Sequence, residues 1–151
     1  MTVELPAVGV PHVAYQASWV PRDHIERRPA GVDFDAVRVT GLLGLEVACA
    51  LDVATVRRSG PVIREDPDGR DETAELLFLV PVGEGLARRW PPGVRVFGFP
   101  TQAIRVPALW GNTYPLRWRS TPTRGAELVD AELLHRALCE ITTWSPLPGG
   151  T

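Results

Sequence analysis

The chain has 151 residues, 44% of them hydrophobic and 23% charged, with a formal net charge of −2. That length suffices for one hydrophobic core, and the charge excludes a strong general attraction to nucleic acid or anionic lipid. All 16 Lys and Arg positions are arginine, a bias expected of a GC-rich coding sequence, so a single arginine carries little weight as a phosphate-binding signal.

Residues 13–20 mix apolar and aromatic side chains up to Pro21 and read as a strand, and RDHIERRPAG reads as a polar connector. FDAVRV alternates, with Phe34, Ala36 and Arg38 on one face and Asp35, Val37 and Val39 on the other. From Leu42 to Arg58 the period becomes helical. Leu42, Leu45, Cys49, Val53 and Val56 form one stripe, and Arg57 and Arg58 suit a helix C-terminus. The other faces (Leu43, Val47, Ala48, Ala50, Leu51) are also apolar, which predicts burial on more than one side.

GPVIRE and ELLFLVP bracket the acidic tract DPDGRDET, the pattern of a β-hairpin with a long solvated loop. Gly85 to Trp90 reads as a short helix stopped by PPG. VRVFGF, QAIRVPAL and PLRWRS follow as strands, the last with Leu116 and Trp118 inward and Arg117 and Arg119 outward. A final helix from Asp130 to about Thr143 carries Leu133, Leu134, Ala137, Leu138 and Ile141 on its apolar face, and the tail from 145 to 151 is expected to fray. The fold class expected is α+β: one domain over 1–151, a mostly antiparallel sheet, and two main helices at 42–58 and 130–143. No apolar run approaches the ~20 residues of a membrane span. The opening MTVELPAVGV lacks the basic and long apolar regions of a secretory signal, so a cytoplasmic location is expected.

Asp33 and Asp35 are the first candidates for chemistry. Residues i and i+2 of a strand share a face, and two carboxylates so placed can hold Mg²⁺ or Mn²⁺ for phosphoryl transfer. The same spelling also suits turn residues at a strand entry. Cys49 and Cys139 lack the paired spacing of a zinc site and are expected as buried free thiols. His12, His24 and His135 form no local metal or catalytic spacing. The acidic tract lacks the glycine and glutamate positions of a calcium loop. Ser59 is in no nucleophile elbow, and TGLLG lacks the lysine of a phosphate loop, leaving only the outward N–H groups of a helix N-terminus for an anion. In NTYPLRWRSTPTRG, Tyr114 and Trp118 lie among Arg117, Arg119 and Arg124. Such a mixture can stack bases and hold phosphates; alternation alternatively makes Trp118 a core residue and the arginines solvated.

FDAVRV at 34–39, the helix after it, SGPV at 59–62, LLFLVPVG at 76–83, VRVFGF at 94–99, AIRVP at 103–107 and YPLRWRSTP at 114–122 together resemble the prim-pol branch of the archaeo-eukaryotic primase superfamily. More narrowly, the chain resembles small stand-alone versions common in high-GC actinomycetes, and the resemblance covers about 31–129. It implies a metal-binding acidic pair at the end of the first core strand, a nucleotide-contacting histidine on a later strand, and a third carboxylate. Here Asp33 and Asp35 precede the apolar residues, Arg38 and Thr40 stand at the strand end, and LLFLV has no histidine. The expectation is therefore a degenerate, catalytically inactive domain that binds or regulates, its partner a protein, a nucleotide or nucleic acid, with no cofactor. Two alternatives stand beside it: an active nucleotidyltransferase using Asp33 and Asp35 with Mg²⁺ or Mn²⁺, and an unrelated α+β protein-interaction domain.

Overall fold

A computed structural model describes residues 15–146. Its elements are β1 (Ile25–Pro29), β2 (Asp35–Thr40), α1 (Gly41–Thr55), β3 (Val62–Glu65), a 3₁₀ turn (Asp71–Thr73), β4 (Glu75–Val80), β5 (Arg95–Phe97), β6 (Ala103–Pro107), β7 (Leu116–Ser120) and α2 (Ala131–Thr142). Five strands form one sheet in the order β5-β2-β4-β3-β7, and β1 and β6 pair as a separate ribbon. Every pairing is antiparallel. This is the α+β class that the sequence pattern predicts, and the GPVIRE/ELLFLVP hairpin forms as β3 and β4.

The sheet is covered on both sides, which explains why its central strand, ELLFLV, is a continuous apolar run rather than an alternating one. Leu76, Phe78 and Val80 of β4 join Val37 and Val39 of β2 against the two helices. Leu77 and Leu79 join Phe34 and Ala36 in a second cluster under the β1–β6 ribbon. Burying each such large side chain contributes about 1.5–3 kcal/mol.

Six local expectations are corrected. Residues 15–20 form no strand: Val20 N–H donates to the Ala17 carbonyl in a turn, and Trp19 packs edge-on against Phe34, with ring centroids 5.2 Å apart; residues 13 and 14 lie outside the described part. The polar connector contains β1, whose low apolar content reflects its largely exposed surface. Residues 85–90 form turns, a bend and irregular backbone, not a helix. Helix α1 stops at Thr55 because Val56 and Arg57 take left-handed backbone conformations. It also buries the other stripe, Gly41, Gly44, Val47, Ala48 and Leu51, leaving Cys49 exposed; Cys139 is only half-buried.

Gly44 decides which face of α1 packs. A Cβ there would lie 2.6 Å from the Val39 carbonyl oxygen, so the helix can settle this closely onto β2 only where the side chain is missing. Helix α2 begins where expected, with Asp130 Oδ1 accepting from Leu133 N–H as its N-cap at 3.0 Å. It buries Ala131, Leu134 and Leu138. No helix among the described residues is long and apolar enough to cross a membrane.

Candidate binding cleft

Asp35 is the first residue of β2 and shares the helix-facing side with Val37 and Val39, so its carboxylate is fully buried. Oδ2 accepts hydrogen bonds from Gly83 N–H and Gly85 N–H, both at 3.0 Å. Oδ1 is buried without a donor among the described residues. Burial pushes this carboxyl above the usual carboxylate range, opposed by the Gly85, Gly83 and Leu86 backbone N–H groups and assisted by the nearby Glu84 charge. A Cβ at Gly85 would meet Val96 Cγ1 at 2.9 Å and Asp35 Cβ at 3.1 Å, so only glycine lets the loop close over the carboxylate this tightly. Asp33, by contrast, is exposed in the bend before β2. With one carboxylate sealed beneath a loop and the other in solvent, the pair does not fit a shared Mg²⁺ or Mn²⁺. Among the described residues no group of three or more His, Cys, Asp or Glu side chains is placed to hold a metal ion.

The arginines of β7 and its following loop have separate partners. Arg117 Nε lies 3.2 Å from Asp66 Oδ2. Arg119 is the extra residue of a bulge against β3, and its Nη2 lies 2.9 Å from Asp52 Oδ2 on α1. With helices on that side of the sheet, Arg119 is not simply solvent-facing. The Arg124 guanidinium sits 5.4 Å above the Tyr15 ring. Trp118 does point inward, donating from Nε1 to the Pro107 carbonyl at 3.0 Å, while Tyr114 is exposed. His135 packs edge-on against Trp90, with Nε2 2.7 Å from the Arg89 carbonyl oxygen.

A different set of residues converges where the ribbon meets the end of the sheet. Here the C-terminal ends of β2 and β3 and the start of β4 face β1 and β6 across a cleft of about 330 Å³. Its charged lining is Arg27, Arg38, Arg105, Glu65 and Glu75. Arg105 Nη2 pairs with Glu65 Oε2 at 2.5 Å, and Arg38 Nε lies 3.2 Å from Glu75 Oε1. That Nε is buried and not aligned for a hydrogen bond, and the guanidinium rests 4.9 Å over the Phe97 ring. Arg27 stands directly opposite Arg105 in the ribbon register. Like charges in that relation repel, and no carboxylate among the described residues pairs with Arg27. The cleft therefore carries three cations against two anions.

Of the arginines in this group, the sequence singles out only Arg38, as the residue at the expected acidic position. Arg27 and Arg105 are 78 positions apart, and nothing local signals their pairing. Compared with protein-family models, curated proteins and solved structures, the chain shows no significant match to any of them.

Proposed function

We propose that this chain is a prim-pol-like domain whose catalytic carboxylates are gone and which works as a binding module, taking the phosphate groups of a nucleotide or nucleic acid in the arginine cleft. The observation that supports this most is the Arg27–Arg105 opposition. Two arginines at directly opposed cross-strand positions, only one of them paired with a carboxylate, leave positive charge that a bound anion offsets, and arginine's planar fork suits phosphate oxygens. Arg38 stands where the resemblance places the metal-binding acids and lines the same cleft. Both glutamates there are beside arginines, so this reading involves no divalent metal.

The test is calorimetric titration with nucleoside triphosphates and inorganic phosphate, with Mn²⁺ and again with EDTA. Binding is expected in both conditions, and Arg27→Ala or Arg105→Ala should weaken it about tenfold, as expected for losing one charge-assisted hydrogen bond. Flat titrations would favour the protein-interaction alternative. Manganese-dependent primer extension that disappears in Asp35→Asn would establish the enzyme instead.

A further inference from the structure

The stripe of α1 that periodicity assigns to the core is the one the fold leaves open. Leu42, Val53 and Val56 are 58%, 82% and 81% exposed, Cys49 is exposed and Leu45 half-buried. Isolated exposed apolar residues are ordinary; a row of them along one helix and onto its C-cap residue, Val56, is not. Its spacing is symmetric about Cys49: Leu45 and Val53 lie four residues to either side, and Leu42 and Val56 seven. A twofold axis at Cys49 that runs a second α1 antiparallel to the first sets Leu42 against Val56 and Leu45 against Val53.

The flanking charges repeat this symmetry in sign. Glu46 on the first half of α1 and Glu72 beside its N-terminus are exposed, as are Arg57 and Arg58 just past its C-terminus. None of the four has an ion-pair partner among the described residues. Asp52, one turn before the basic end, is already paired with Arg119. In the antiparallel arrangement Glu72, beside Gly41, meets Arg57 and Arg58 of the second copy, and Glu46 comes opposite the Asp52–Arg119 pair, whereas a parallel one would bring like ends together. A self-complementary patch is what an isologous dimer requires.

We infer that this face of α1 is a homodimer interface, with Cys49 on the twofold axis. The stripe is about 21 Å long at 1.5 Å per residue. One helix pair of that length buries less than the ~800 Å² per partner typical of stable complexes, so the dimer is weak and forms reversibly with concentration. The inference is independent of the cleft, which lies on the other side of the sheet.

Sedimentation across a concentration series tests it, together with mild oxidation by diamide in a Cys139→Ser background. The expected result is a monomer–dimer equilibrium, with a reductant-sensitive dimer linked through Cys49. Val53→Glu should leave only monomer without moving the urea midpoint, and Ala54→Glu, outside the stripe, should dimerise normally. If Val53→Glu fails to fold, charge reversal reads the same face: Arg57→Glu should weaken the dimer and the added Glu72→Arg restore it. A monomer at every soluble concentration with no Cys49-linked species overturns the inference. So does a dimer indifferent to these changes.

Discussion

Asp35 rests one carboxylate oxygen on two backbone N–H groups and leaves the other buried without a donor. Such a group is easier to hold protonated than ionised, which is why its pKa is raised. The sign for stability follows by linkage: the unfolded chain gives up this proton at the ordinary carboxylate pKa and the folded chain later. Its favourable contribution is complete below about pH 4 and is lost as pH rises to the folded value, then stays constant. Asp35→Asn cannot titrate, so the difference in unfolding free energy, wild type minus variant, should fall with rising pH and then level off. Urea titrations at several pH values measure it, and a difference that rises with pH sinks the assignment. Strand alternation alone put Asp35 on the face of Val37 and Val39. Its partners were not legible, because Gly83 and Gly85 are 48 and 50 residues away and become donors only once β4 lies beside β2.

At the scale of single elements, α1 shows where periodicity stops being informative. Its existence follows from the pattern, but it is apolar on all sides, so spacing cannot choose the buried stripe. Backbone approach chooses it. Gly44, with no side chain, and the small Ala48 let this face approach the sheet, so Val47 and Leu51 are buried while Leu42 and Val53 stay outside. Helix α2 has one apolar face only and was legible in full. Gly44→Ala separates the two determinants, because alanine gains about 1 kcal/mol in helix propensity. The new Cβ, however, would stand 2.6 Å from the Val39 carbonyl and must displace backbone. Overpacking of that kind costs about 1–3 kcal/mol, so a lower urea midpoint is expected. A stabilised Gly44→Ala variant would mean that α1 does not pack by this face.

Across the whole molecule, the five-stranded sheet and the β1–β6 ribbon are two bodies of unequal strength. Strand β4 is hydrogen-bonded on both sides and buried from Leu76 to Val80. The β1–β6 ribbon has one pairing only, between segments distant in sequence, and a two-stranded ribbon is marginal by itself. It stays in place through Ile104 and Val106 packed with Trp19, Phe34 and Leu116, plus the Trp118 hydrogen bond to Pro107. Elements with fewer partners open at lower free energy than the core. Native-state hydrogen exchange should therefore find Glu26 to Arg28 and Ile104 to Val106 opening well before Leu77 to Leu79. The cleft bridges these bodies, with Arg27 and Arg105 on the ribbon and Arg38 on the sheet. An anion held between them must break its contacts before the ribbon can lift. At a ligand concentration of 100 Kd that adds about 2.7 kcal/mol to the opening free energy, slowing ribbon exchange roughly a hundredfold while local fraying elsewhere keeps its rate. Equal protection of ribbon and core without ligand would remove the two-body description. Slowing spread evenly over all amides would place the ligand outside the cleft.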